Sequence, residues 1–333
     1  MPEEPDSEAA SIGADAETRE AVVEGRFRLR RAAWGALVVA ALVCALPLAA
    51  PRVGWILMLR SAPARFRIHA IAALARMGGE AEAIAIGLEC DEESVRRAAI
   101  KALAASGASG AVHLARAMGD EDKELRTLAR DGLVKLGKVA VEPLAELTRD
   151  PDPVLRHEAW TALAAVGTPA VPVMIEAIGA PRDETRRLAI LALSKVGGAA
   201  RQAVPELIAL LGRDRLDSEV EREALNLLAV IGPGARSGRP LIASRLTDRR
   251  LLVRAAAGRA WAATTPKDGA GLDRLRAPLS QDSPYVRLQI VKGLERLGPK
   301  AETLRPELMT CLDIPDKALG KAVRALLARF PKD

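Results

Sequence analysis

From residue 66 to the C-terminus, apolar positions recur with a helical period rather than the alternation of a strand. The element V-R-x-x-A-x-x-A-L-x-x-x-G repeats, most clearly as VRRAAIKALAASG (95–107), LRHEAWTALAAVG (155–167) and VRLQIVKGLERLG (286–298). Its copies begin at Phe66, Val95, Leu125, Leu155, Thr185, Val220, Val253, Val286 and Ala318, with spacings of 29 to 35 residues. Offset four is Ala in eight of nine copies, with Ile290 the exception, and offset eight is Leu in eight of nine, with Trp261 the exception. Offsets 0, 4, 7 and 8 share one helical face, so each copy predicts an amphipathic helix whose Ala allows close approach and whose Leu fills the groove beside it. Glycines at offset twelve (Gly78, Gly107, Gly137, Gly167, Gly197, Gly232, Gly298) predict left-handed helix ends. A second apolar stretch follows, as in EPLAEL (142–147), VPELIALL (204–211) and RPELMTCL (305–312). Pro143, Pro205, Pro240 and Pro306 stand near the starts of these second helices, and Asp91, Asp120, Asp150, Asp248 and Asp282 are candidate caps for the next copy. Such a helix pair buries its face only when stacked on neighbours, which predicts an all-α chain, an α-solenoid (superhelix) of about nine helix pairs over residues 62–330.

The N-terminal stretch has a different pattern. Residues 32–50, AAWGALVVAALVCALPLAA, carry no charge and as a helix would measure ~28 Å, enough for a bilayer. Trp34 and Trp55 bracket the stretch like interfacial aromatics. The expectation is one transmembrane helix ahead of the solenoid, with 32–58 as anchor and juxtamembrane segment and the lipid bilayer as partner through residues 32–50. A cleaved signal peptide fits less well, because a long acidic segment precedes the stretch and Pro51 follows the cleavage position. Residues 1–31 form a tail with eight acids before residue 25 and the basic cluster RFRLRR (26–31) at its end. Five arginines precede the span and four follow it closely; the tight cluster favours a cytoplasmic N-terminus in a single-pass membrane protein.

The repeat resembles the HEAT repeat, in the short form called PBS-lyase HEAT-like, over roughly residues 62–330. The W-x-x-L-G-x-x-Y core of tetratricopeptide repeats and the T-P-L-H of ankyrin repeats are absent. Offset one is Arg in seven copies: Arg67, Arg96, Arg126, Arg156, Arg186, Arg254 and Arg287. The resemblance implies that such arginines pair with the Asp before the helix or in an adjacent repeat, as a structural ladder rather than a ligand site. It also implies a concave face, lined by the second helices, that binds a protein partner as a scaffold or assembly factor. Arg116, Glu146 and Glu176, which occupy matching places on successive second helices, are the candidate interaction residues.

Candidate chemistry is sparse. HEAT-type deoxyhypusine hydroxylases hold iron through several His-Glu pairs, but this chain has a single pair, His157-Glu158, too few for a coordination sphere. The bilin lyases that share the repeat suggest no chromophore residue here. His69, His113 and His157 are the only histidines and fall in different repeats without a nucleophile partner. Cys44, Cys90 and Cys311 match no metal or disulfide spacing and read as buried apolar residues. GLVKLGKV (132–139) approaches a phosphate-binding loop, but Val139 replaces the hydroxyl residue and no strand precedes it. No catalytic residue, cofactor or metal site is therefore expected. Nucleic acid, the ligand of HEAT-like DNA glycosylases, is disfavoured: only 2% of residues are aromatic, which leaves no stacking platform, and the +7 on residues 61–333 is dilute.

Overall fold

The computed structural model describes residues 51–78, 81–266 and 269–331, and every regular element among them is helical. The chain forms two compact units, divided between Leu128 and Ala129. The first contains α1 (Pro51–Ser61), α2 (Ala64–Arg76), α3 (Ala81–Ala85), α4 (Glu93–Ala105) and α5 (Ala108–Ala117), and the division falls within α6 (Lys123–Leu136). The second continues with α7 (Val141–Leu147), α8 (Pro153–Val166), α9 (Val171–Ile178), α10 (Asp183–Val196), α11 (Val204–Leu211) and α12 (Ser218–Ile231). It ends with α13 (Arg239–Arg245), α14 (Leu251–Thr264), α15 (Arg276–Gln281), α16 (Pro284–Leu294), α17 (Arg305–Thr310) and α18 (Lys317–Leu327).

All nine copies of the sequence element lie in long first helices (α2, α4, α6, α8, α10, α12, α14, α16, α18), and shorter second helices alternate with them. The stripe explains the core. The offset-four alanines Ala70, Ala99, Ala129, Ala159, Ala189, Ala224 and Ala257 are wholly buried, as are Leu103, Leu133, Leu163, Leu193, Leu228 and Leu294 at offset eight. In the second unit, consecutive first helices pack on one another: α8 on α10, α10 on α12, α12 on α14 and α14 on α16. A methyl side chain at offset four is what lets these backbones approach. Ala322, in the last described helix, is half-buried.

The single-pass membrane localisation expected from the sequence is corrected. Among the described residues no helix is long and apolar enough to cross a membrane. Residues 32–50 lie outside the described residues, and the segment expected to follow them at the membrane surface is instead part of the packed fold. Helix α1 has 11 residues, about 16 Å at 1.5 Å per residue, and packs Met58 and Leu59, both buried, in contact with α2.

Two local expectations are sharpened. The offset-twelve glycines all have positive φ, but Gly107 (φ 64, ψ −136), Gly167 (φ 80, ψ −137) and Gly232 (φ 67, ψ −133) occupy the mirror-image extended region rather than the left-handed helical one. Only glycine adopts that region freely, and it turns the chain sharply towards the second helix, directly at Gly107 and through a 3₁₀ turn at Gly167 and Gly232. In two of the loops the repeated Asp stands two positions ahead of the true cap. Asp120 and Asp150 accept from the N–H of Asp122 and Asp152, and it is Asp122 and Asp152 that accept from N–H groups of the first helical turn, Glu124 and Val154. The first carboxylate shapes the loop and the second caps the helix.

Because nothing lies within 4 Å of a Cβ built on Gly167, Gly167→Ala isolates backbone strain. It is expected to destabilise the second unit by about 1–3 kcal/mol in urea unfolding, with unchanged helical circular dichroism at zero urea. An unchanged midpoint would refute the role assigned to this glycine.

Candidate interaction site on the second helices

The offset-one arginines point into the loops between repeats. Arg96, 8% exposed, donates Nη1 to the carbonyls of Cys90 (3.0 Å) and Asp91 (2.9 Å) in the loop before its own helix, and Nε to Asp120 of the next loop at 2.9 Å. Arg126 and Arg156 repeat the double carbonyl contact, on Asp120 and Glu121 and on Asp150 and Pro151. Arg186 does so on Ala180 and Pro181 and also pairs with Asp183 of its own helix. Arg254 adds two parallel bonds to Asp282 (2.8 and 3.0 Å) to its contacts with the carbonyls of Asp248 and Arg249. Arg67 reaches Ala62 O and Glu92, Arg156 also reaches Glu184, and Arg287 donates to Asp282 O and Ser280 O.

The sixth copy inverts the charge, with Glu221 in the arginine position. Glu221 is 2% exposed and takes Arg245 (2.8 Å) from the second helix and Arg250 (2.5 Å) from the following loop. Arg245 also donates to Leu211 O (2.8 Å), supplying to this loop a guanidinium–carbonyl contact like those of the other copies. Arg250 further binds Asp248 (2.8 Å). These residues line a polar cavity of about 700 Å³, but its central charges are spent on one another.

The second helices differ: their exposed charges are not consumed in this way. In the first unit, a groove of about 240 Å³ is lined by Leu88, Glu89, His113, Arg116 and Asp120. Arg116 is exposed on α5 and forms no ion pair among the described residues. Beside it, His113 Nδ1 is buried without a hydrogen-bond partner. Burial, reinforced by the positive charge of Arg116, pushes the imidazole pKa below its ordinary value, so at neutral pH His113 is uncharged.

In the second unit, a groove of about 410 Å³ opens between α7 and α9, lined by Thr148, Arg149, Trp160, Val173, Glu176 and Thr185 among others. Trp160 is 3% exposed, yet its indole N–H has no acceptor among the described residues. An unmet buried donor of this kind costs about 1–3 kcal/mol. Glu176 and Arg149 are exposed at the groove, and neither side chain is paired among the described residues. Two of the three sequence candidates, Arg116 and Glu176, thus line grooves of their respective units. Glu146 is exposed on α7 but outside the groove, which takes Ala145, Thr148 and Arg149 instead. His113 and Trp160 carried no such signal in the sequence, because an offset pattern cannot reveal an unmet donor or acceptor.

The single His-Glu pair does not come together as a metal site. His157 is exposed, Glu158 accepts from Arg130 at 3.3 Å, and among the described residues no group of three or more His, Cys, Asp or Glu is placed to hold a metal ion. Cys90 and Cys311 are buried free thiols, and Cys44 lies outside the described residues.

A family model described as HEAT repeats matches residues 113–194 and 141–229. Over residues 113–229 the repeats match the HEAT type. No curated protein matches the chain. Among solved structures, the chain is similar to Kap121p bound to Pho4p and to Kap121p bound to Nup53p, each with a TM-score of 0.58 and 14% identity over 83% of this chain. Importin beta is similar with a TM-score of 0.50 and 14% identity over 84% of this chain. The chain spans 37% of Kap121p and 44% of that importin beta chain, so the likeness is one of fold.

The Arg250 hydrogen bonds hold the Asp248 carboxyl down at about 2, and Arg254 likewise lowers Asp282. A carboxyl depressed in the folded state stabilises the fold above its ordinary range near 3.8, and that stability is lost as pH falls towards 2. The melting temperature is expected to fall between pH 4 and pH 2, and less steeply in Asp248→Asn. Identical slopes for the two proteins would contradict the assignment.

Proposed function

We propose that the protein is a non-catalytic interaction scaffold that binds a partner protein along its second-helix face. The observation that carries this reading is the groove between α7 and α9, where Trp160 has an unmet buried N–H beside the unpaired charges of Arg149 and Glu176. A peptide carbonyl would satisfy the indole, and a basic side chain would meet Glu176. Neutral His113 beside Arg116 gives the first unit a groove of similar character. The offset-one arginines hold neighbouring loops rather than a ligand, since carbonyls and carboxylates of the fold itself meet their donors, apart from Arg186 Nε, which is buried without a partner among the described residues. The fold neighbours add support at the level of architecture, because Kap121p, which is similar in fold, is seen bound to Pho4p and to Nup53p. The period near thirty residues supports the short, PBS-lyase-like form of the repeat.

The test places a photo-cross-linking amino acid at Glu146, on the second-helix face, or at exposed His157, on a first helix, in the native host cells. The expected result is a discrete protein adduct from position 146 only, weakened about tenfold by Glu176→Lys, the equivalent of ~1.4 kcal/mol. Equal adducts from both positions, or an adduct indifferent to Glu176→Lys, would overturn the proposal.

A further inference from the structure

At offset eight of the seventh first helix, Trp261 stands where the other copies have Leu. Trp261 is 5% exposed, and its indole N–H donates to Gly271 O at 2.8 Å. Gly271 has φ +84, and a Cβ there would lie 2.7 Å from Arg239 Nη2 and 3.2 Å from the Trp261 ring. Loop, ring and guanidinium therefore close on one another only because this residue has no side chain.

Arg239, at the start of α13, sets its guanidinium carbon 3.6 Å from the Trp261 ring centroid, and Arg274 sets its own 5.4 Å from the same ring. Arg239 donates to Trp261 O (3.4 Å), Thr265 Oγ1 (3.1 Å) and Ala270 O (3.3 Å), all of them neutral acceptors. Burial pushes the Arg239 pKa below its ordinary value, and the charges of Arg236 and Arg274 push it the same way, so three cations share one locality. None of the three forms an ion pair among the described residues, and the neighbouring carboxylate of Asp273 is held by Arg276 at 3.1 Å. This is the reverse of the loops on the other side of the repeats, where Arg254 and Arg250 are met by carboxylates. The turns alongside extend the imbalance: Arg201 packs against Gly234 and Arg296 against Gly232, again without ion pairs among the described residues.

We propose that Arg236, Arg239 and Arg274, organised by Trp261, form an oxyanion-binding site for a peptide segment of a partner protein. The oxyanion is a side-chain carboxylate or a phosphate on a phosphorylated side chain; guanidinium forks match both bidentately. Arg239 is the fixed member, seated on the ring, and the exposed Arg236 and Arg274 close on the ligand. A nucleic-acid strand fits less well, because the Trp261 ring is buried beneath Arg239 and offers no face to a base. The site stands on the turns from first to second helices and is independent of the second-helix grooves.

The test measures fluorescence anisotropy of labelled short peptides with the full chain at low salt. One pair is Glu-rich and its Gln counterpart; the other is a phosphoserine peptide and its unphosphorylated counterpart. At least one charged peptide is expected to bind more tightly than its neutral counterpart, and which one does so identifies the oxyanion. Arg236→Glu with Arg274→Glu is expected to weaken it by at least about tenfold. Trp261→Leu restores the residue found in the other copies, so it is expected to fold, and it should weaken binding by unseating Arg239. Glu176→Lys should leave the affinity unchanged, which separates this site from the second-helix grooves. The proposal is overturned if neither charged peptide is preferred, if the double reversal leaves affinity unchanged, or if duplex DNA binds the site and both peptides do not.

Discussion

A single helix pair of this chain has an apolar stripe that it cannot cover by itself, and the structure follows from that shortage. The offset-four alanines and offset-eight leucines disappear from solvent only because the next first helix lies against them. A small residue at the contact and a large one beside it is a close-packing solution, and it removes the need for a deep aromatic core. With burial delivered by the stack, the remaining variables are how neighbouring loops are tied and what each face leaves unpaired.

The loops are tied by arginine. A guanidinium has enough donors to bind two carbonyls of its own loop and a carboxylate of the next, as Arg96 and Arg254 do, and lysine could not divide itself in that way. Where the sixth copy exchanges Arg for Glu221, Arg245 and Arg250 come in from neighbouring elements to restore the pairing. The loop side of the repeats is accordingly satisfied from within, apart from Arg186 Nε. The second-helix grooves and the turn around Trp261 are not, and that difference distinguishes surfaces available to a ligand from those occupied with holding the fold.

How much of this was legible in the sequence differed by the kind of signal. The helix positions and the small-large stripe follow from residue type at fixed spacing, and the structure places them as the spacing predicts; the glycines turn the chain at the expected positions, but Gly107, Gly167 and Gly232 do so in the mirror-image extended region. Asp120 and Asp150 misled by two residues, because in those loops a second carboxylate, Asp122 or Asp152, takes the cap and spacing does not say which wins. The apolar stretch at 32–50 pointed to a membrane, yet no described helix is long and apolar enough to cross one, and Met58 and Leu59 just after it are part of the packed fold. Arg116 and Glu176 were chosen by register alone, and each lines a groove. Trp160, His113 and the Arg239–Trp261 pair were not, since each depends on contacts between residues distant in sequence or on a partner that is missing. The exception at offset eight was the available clue to the last of these.

The claim on which the account rests is that each first helix is stable through its neighbours rather than by itself. Leu228→Ala opens a cavity in the middle of the stripe of α12 and should cost about 2–5 kcal/mol. Hydrogen-exchange mass spectrometry on this variant tests the claim directly. The stacking account predicts faster exchange not only in Ser218–Ile231 but also in the adjoining first helices, Asp183–Val196 and Leu251–Thr264. Faster exchange confined to Ser218–Ile231 would contradict it.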